Sequence, residues 1–147
     1  MTTIAYNHKD KQIAYDSRET AGDEIKSDSV IKMKEKDGVF YFFSGSVHCE
    51  SDFINSSKIR GFKPETPIEC SALIVRDGKV FKGNYSDSIG YWEIELNYSD
   101  SIGSGGVYAL CAMDFGCDAK ESVEYAKRRD CYTGGEVHVF NVDSPRS

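Results

Sequence analysis

At 147 residues, with 39% hydrophobic and 29% charged side chains, the chain has the size and mix of a single globular domain, residues 1–147, with a core of its own. A net charge of −6 and a pI near 5.1 argue against nucleic acid as the main partner, because phosphate binding needs a basic face. No apolar run approaches the ~18–20 residues that span a bilayer, and Asn7 to Gln12 are too polar for a signal peptide.

Thr3 to Tyr6 and Gln12 to Tyr15 read as two strands around the polar turn 7–11. Val30 to Lys34 and Val39 to Ser44 form a second hairpin around Lys36-Asp37-Gly38. The run Val39-Phe40-Tyr41-Phe42-Phe43 is apolar on both faces, which predicts a central strand covered on both sides. A helix is expected over Val47 to Arg60, with Val47, Phe53, Ile54 and Ile59 as apolar positions, and Pro64 and Pro67 punctuate the loop behind it. Ser71 to Arg76 and Lys79 to Lys82 pair around Asp77-Gly78, and Tyr91 to Leu96 alternates as a half-buried strand. After the glycine-rich turn 103–106, Val107 to Phe115 reads as a helix. Asp118 caps another running to about Arg129, where Lys127-Arg128-Arg129 form a solvated helix end. Glu136 to Val142 alternates as a last strand, and the tail from Ser144 to Ser147 is expected to fray. Asn84-Tyr85-Ser86-Asp87-Ser88-Ile89-Gly90 recurs unchanged as Asn97-Tyr98-Ser99-Asp100-Ser101-Ile102-Gly103, a local duplication that can add or lengthen a strand.

Five scattered cysteines without a CxxC pair fit reduced thiols and predict a cytoplasmic protein. With only His8, His48 and His138 beside them, no zinc site is indicated, and no cofactor or metal is expected. The chemistry-bearing stretch is Met1-Thr2-Thr3. The small Thr2 beside Met1 predicts removal of Met1 by methionine aminopeptidase. Thr2 then carries a nucleophilic hydroxyl and a free α-amine on one residue, and an α-amine titrates at about 7.7–8, so it can serve as a base near neutrality. Read alone, Gly103-Ser104-Gly105-Gly106 is a flexible turn or a phosphate loop. No Walker lysine follows it, so nucleotide binding is rejected.

Thr2-Thr3-Ile4, Asp16 and Lys32 sixteen residues apart, Ser44-Gly45, Gly103-Ser104-Gly105-Gly106 and Asp130-Cys131-Tyr132-Thr133-Gly134-Gly135 follow one another in the order of a known family. The chain resembles, nearly end to end, the proteasome β-subunit family of N-terminal-nucleophile hydrolases, especially HslV-type peptidase subunits. The resemblance implies an α+β fold, a four-layer αββα sandwich. It also implies a threonine endopeptidase acting on peptides or unfolded proteins in a self-compartmentalised homo-oligomeric ring, with an AAA-type unfoldase as docking partner. Carried over by position, Thr2 is the nucleophile, Lys32 lies beside its hydroxyl and Asp16 pairs with Lys32. Ser104 bonds the Thr2 amine, Asp130 and Thr133 support the N-terminal residue, Gly45 supplies the oxyanion N–H, and Phe43 lines the substrate pocket. Thr133 stands where the family has serine and keeps the hydroxyl.

Between Gly45 and Ser71 the family places two long helices, whereas this chain has room for one short one. A shortened helical layer is therefore expected, with a neighbouring subunit covering the remainder through flanking helices such as the one carrying Phe53 and Ile54. Two other classes of reading compete, a catalytically silent assembly subunit and an amidohydrolase of a small amide. The complete set Thr2, Asp16, Lys32, Ser104 and Asp130 counts against the first, and fold analogy does not separate peptides from small amides.

Overall fold

The computed structural model describes residues 2–45 and 49–144. One sheet joins β1 (Ile4–Asn7), β2 (Gln12–Tyr15), β10 (Asp100–Ile102) and β11 (His138–Asn141) in the order β10-β1-β2-β11. The other runs β5 (Met33–Lys36), β6 (Val39–Gly45), β7 (Glu69–Arg76), β8 (Lys79–Ser86), β9 (Gly90–Glu95) in chain order. A small hairpin, β3 (Glu19–Ala21) with β4 (Glu24–Ser27), stands apart from both.

Three hydrophobic clusters define four layers. Ile4, Tyr6, Ile13, Tyr15 and Phe140 of the first sheet meet Phe42, Leu73, Val75 and Val80 of the second. Outside the second sheet, Tyr41, Phe43, Ala72 and Ile74 pack under α1 (Glu50–Lys58) through Phe53 and Ile54. Outside the first, Ala5 and Ala14 lie under α2 (Gly106–Asp114) and α3 (Ala119–Arg129) through Ala109, Val123 and Ala126. Small residues on both sides of that last contact let the helices lie close to the sheet. The fold is α+β, an αββα sandwich, and α1 alone stands as the helical layer over the second sheet among the described residues.

The two-sided apolar run of β6 is explained by this layering. Phe42 faces the inter-sheet core, whereas Tyr41 and Phe43 face α1, as alternation along a strand requires. Asp118 caps α3 as expected, and reciprocally: its carboxylate accepts from the Glu121 N–H at 2.8 Å while Glu121 accepts from the Asp118 N–H at 2.9 Å. Lys127 at the other end pairs with Glu124 in solvent.

Several elements differ from the sequence reading. The strand expected at Val30 to Lys34 begins at Met33. Val30 instead donates its N–H to the Ser17 carbonyl and Lys32 accepts from the Phe43 N–H at 3.1 Å, so the segment is committed to bonds that turn Lys32 inward. The first helix is shorter than expected, ending at Lys58, and Val47 lies outside the described residues, as do Pro145 to Ser147. Phe53 and Ile54 are fully inside, so they serve the sheet and not an external contact. The large exposed apolar side chains flanking the sandwich are instead Val107, Tyr108 and Phe115, in and just after α2, with Ile59 after α1. Strands β3, β4 and β10 had no period-2 signal.

The duplicated heptad both lengthens and adds a strand. Its first copy extends β8 to Ser86 and makes the turn into β9; its second supplies β10. The copies are inverted in burial. Tyr85 is buried and Ile89 exposed, whereas Tyr98 is exposed and Ile102 buried. Asp87 faces solvent, while its counterpart Asp100 takes Lys82 of the opposite sheet at 3.2 Å. Tertiary position, not local propensity, decides each conformation.

Candidate active site

Thr2 sits at the entry to β1, where the chain emerges between the two sheets, and it is almost wholly buried. Its hydroxyl donates to Oδ1 of Asp16, the residue that leaves β2, and receives the Lys32 ammonium at 2.5 Å. Lys32 also donates to Asp16 Oδ1 at 2.9 Å. Thr2, Asp16 and Lys32 thus form a closed three-way contact among groups more than ten residues apart in sequence.

Asp16 has no solvent exposure, and every acceptor direction is used. Oδ1 also takes the Thr3 N–H at 3.1 Å; Oδ2 takes the N–H groups of Gly134 at 2.9 Å and Arg18 at 3.4 Å. Main-chain donors on both oxygens hold the carboxylate in one orientation, which in turn holds Lys32. Burial pulls the Lys32 ammonium below its ordinary pKa, and Asp16 opposes that pull by its charge and hydrogen bond. The result is an amine that gives up its proton more readily than a surface lysine.

On the other side of the Thr2 main chain lies a second carboxylate. Asp130, which ends α3, accepts from Ser104 Oγ at 2.6 Å and from Thr133 Oγ1 at 2.7 Å on one oxygen. Ser104 Oγ also reaches the Thr2 carbonyl at 3.5 Å, and the Gly105 N–H donates to the same carbonyl at 3.3 Å. With Met1 still attached to Thr2, the Ser104 hydroxyl bonds to the Thr2 carbonyl and to Asp130. The glycine-rich turn is required by its closeness to Thr2. A Cβ on Gly103, whose φ is +95°, would fall 2.0 Å from the Thr2 carbonyl oxygen.

Six expected site residues are therefore brought together: Thr2, Asp16, Lys32, Ser104, Asp130 and Thr133. Gly45 closes β6 opposite Cys70 with φ of +134°. Phe43 lies two residues before it, stacked on Tyr41 and edge-on to Phe53, a core position under α1.

Three further residues of the site were assigned no role from the sequence. The Thr3 hydroxyl meets Thr133 Oγ1 at 2.7 Å. Ser17 bonds the 134–136 segment through its N–H to the Gly134 carbonyl and its hydroxyl to the Glu136 carbonyl. Arg18 pairs with Asp28 through two N–H donors and holds the Cys131 carbonyl at 2.9 Å, fixing the loop that carries Thr133. Their side chains are common in turns, and only the adjacency of Ser17 and Arg18 to Asp16 signalled them. Among the described residues no group of three or more His, Cys, Asp or Glu side chains is placed to hold a metal ion, and no helix is long and apolar enough to cross a membrane.

Comparison with solved structures matches the fold that carries this site. A eukaryotic HslV from Trypanosoma brucei superposes with a TM-score of 0.72 at 18% identity, over 94% of this chain and 97% of the other. The chain has the HslV fold. BPH from Thiobacillus denitrificans shares it, with a TM-score of 0.69 at 18% identity in its complex with epoxomicin, over 95% of this chain and 97% of that one. A second BPH structure gives 0.67 at 17% identity, over 95% and 96% of the two chains. No family model matches the sequence, and neither does any curated protein sequence. The HslV fold is thus shared in the backbone at 17–18% sequence identity.

Proposed function

We propose that the protein is a threonine endopeptidase whose nucleophile is the Thr2 hydroxyl and whose base is the Thr2 α-amine once Met1 is removed. What supports the reading is the geometry at Thr2 Oγ1. A buried hydroxyl touched at once by an ammonium at 2.5 Å and by a fully buried carboxylate has no structural need of either charge. Burying a charged pair around a hydroxyl carries a desolvation cost, and such pairs cluster where they act on a reacting group.

In this reading the amine takes the hydroxyl proton as Oγ1 attacks the scissile carbonyl, and Lys32 lowers the energy of the alkoxide-like oxygen. Asp16 keeps Lys32 charged and aimed. The oxyanion of the tetrahedral intermediate is received by the Gly45 N–H. Its collapse breaks the C–N bond, the protonated amine returns its proton to the leaving nitrogen, and water then hydrolyses the ester on Thr2. Ser104, Asp130 and Thr133 hold the Thr2 main chain during both steps, and Phe43 forms the floor of the pocket for the substrate side chain. The working form is a closed homo-oligomeric ring in the cytoplasm acting on peptides or unfolded chains, with an AAA-type unfoldase as its feeding partner.

The test is the intact mass of the purified protein with and without a peptide epoxyketone, read beside hydrolysis of a fluorogenic peptide. The expected result is a chain lacking Met1, one adduct per chain, and neither adduct nor turnover in Thr2→Ala. Loss of a positioned base or charge typically lowers rates by ~10²–10⁴, so Lys32→Ala falls in that range. Retention of Met1 refutes the mechanism, because the base is then an amide.

A further inference from the structure

The contacts around Thr2 divide into two halves that share no side chain of the expected catalytic set. Asp16 with Lys32 grips the hydroxyl, and Asp130 with Ser104 and Thr133 borders the main chain. Thr3 bonds to both. Its N–H donates to Asp16 Oδ1 at 3.1 Å, and its hydroxyl pairs with Thr133 Oγ1 at 2.7 Å, which leads on to Asp130 Oδ2. Thr3 is fully buried, so water cannot replace either bond. The space for its hydroxyl is kept open by the absence of a side chain on Gly105, where a Cβ would lie 2.0 Å from Thr3 Oγ1 and 2.9 Å from Thr133 Oγ1.

We propose that the Thr3 hydroxyl is a positioning group for the reaction, locking the Asp130–Ser104–Thr133 half to the Asp16–Lys32 half so that the Thr2 amine and hydroxyl keep one relative orientation. This rests on the peptidase reading above. The physical reason is the single peptide link between Thr2 and Thr3. The Thr3 main chain is already fixed at Asp16, and its side chain adds to the Gly134 and Arg18 bonds on the same loop the one hydroxyl contact that reaches the Thr133–Asp130 pair itself. Without the hydroxyl, Thr133 loses the partner that orients its own donation to Asp130, and the Ser104–Asp130 pair is free to shift against the Thr2 carbonyl. A misplacement of this order in a catalytic constellation costs rate and leaves substrate binding alone.

The experiment compares wild type, Thr3→Val, Thr3→Ser, Thr133→Val and the Thr3→Val/Thr133→Val double variant. Valine keeps the branching and nearly the volume of threonine and puts a methyl group in place of the hydroxyl. Four readouts are taken: the N-terminal residue by mass, circular dichroism, kcat and KM on a fluorogenic peptide across pH, and the pKa of the Thr2 α-amine by NMR. Thr3→Val is expected to lower kcat by about ten- to a hundredfold with KM within twofold, to move the acid limb of the pH profile and to shift the amine pKa. Thr3→Ser is expected to restore all three towards wild type. The double variant is expected to lose no more than the worse single one, because both delete the same link. If Thr3→Val does not fold, Thr133→Val against Thr3→Ser carries the comparison from the other end of the bond.

A folded Thr3→Val with wild-type kcat, pH profile and amine pKa overturns the proposal while the peptidase reading stands. A shifted amine pKa in a protein that hydrolyses no peptide supports the link and removes the peptidase. Met1 retained on wild type overturns both.

Discussion

Replacing Asp16 with asparagine separates charge from shape at the centre of the site. The side chain is fully buried and accepts from Thr2, Thr3, Lys32, Arg18 and Gly134. Asparagine fills the same volume but has one acceptor oxygen, so in either orientation an NH2 group faces N–H or ammonium donors that then go unpaired. The Lys32–Asp16 separation is 2.9 Å, which at an effective dielectric near 20 corresponds to a gross attraction of roughly 6 kcal/mol. Desolvation of both charges offsets part of this, and breaking a buried pair by removing one partner typically costs about 3–5 kcal/mol. Asp16→Asn is therefore expected to lose about 3–5 kcal/mol of stability, which for a chain of this length lowers Tm by roughly 10 °C or more. Urea denaturation monitored by far-ultraviolet circular dichroism measures the loss, with Lys32→Met and the double variant completing a cycle. The double variant should be more stable than the sum of the single losses predicts, because it strands no lone charge. A loss under about 0.5 kcal/mol, additive with that of Lys32→Met, would refute the account of Asp16 as the electrostatic anchor.

The lowered Lys32 pKa has a stability consequence in alkaline solution. Between the folded value and the ordinary 10.5 the unfolded chain binds the Lys32 proton and the folded chain does not, so this residue makes stability rise with pH across that window. The difference in unfolding free energy between wild type and Lys32→Met should therefore change in favour of wild type as pH approaches 10.5; a pH-independent difference contradicts the assigned shift. Cysteine reactivity offers a different check. Burial, with Cys49 and Glu50 nearby, pushes the Cys70 thiol up to about 12, whereas Cys111 and Cys131 are exposed. Iodoacetamide at neutral pH should label Cys111 and Cys131 in minutes and leave Cys70 unmodified until the chain is unfolded, as peptide mass mapping reads directly.

The order of elements and most of the site were legible because their signals are local or ordinal. The Asp118 cap, the Asp37-Gly38 and Asp77-Gly78 turns and the two-sided run of β6 each state their role within a few residues. Thr2, Asp16, Lys32, Ser104 and Asp130 were expected from the family resemblance that their order and spacing carry, and they lie together in the fold. What stayed hidden depends on long-range pairing. Strand β10 is three residues whose partner is β1, about a hundred positions away, and its identical twin runs through a turn. The roles of Thr3 and Arg18 were hidden for a related reason: a threonine in a β-rich segment and an arginine near an aspartate acquire them only when the 130–135 loop folds against them. The contacts of Phe43 are of the same kind, since its stacking on Tyr41 and its edge-on meeting with Phe53 depend on where α1 folds back.

The twin heptads set a problem of proofreading during folding. Because Asn84 to Gly90 and Asn97 to Gly103 are identical, β7 is offered the same partner sequence twice. Looping out the intervening stretch carries only a small entropic penalty, since closure cost grows slowly with length. The tight turn at Asp77-Gly78 favours the first copy, and the residue just before each copy adds to the discrimination. Gly83 precedes the first, packed so tightly under α1 that a Cβ there would stand 3.0 Å from Ile74 Cδ1, 3.1 Å from the Tyr91 hydroxyl and 3.2 Å from Phe53. Leu96 precedes the second. A slipped chain would drive an isobutyl group into a slot already tight for a methyl, while stripping the inter-sheet core of a leucine that is 2% exposed in the correct register. One missing side chain and one bulky one thus act as an editing pair, rejecting a mispairing that seven matched residues would otherwise permit.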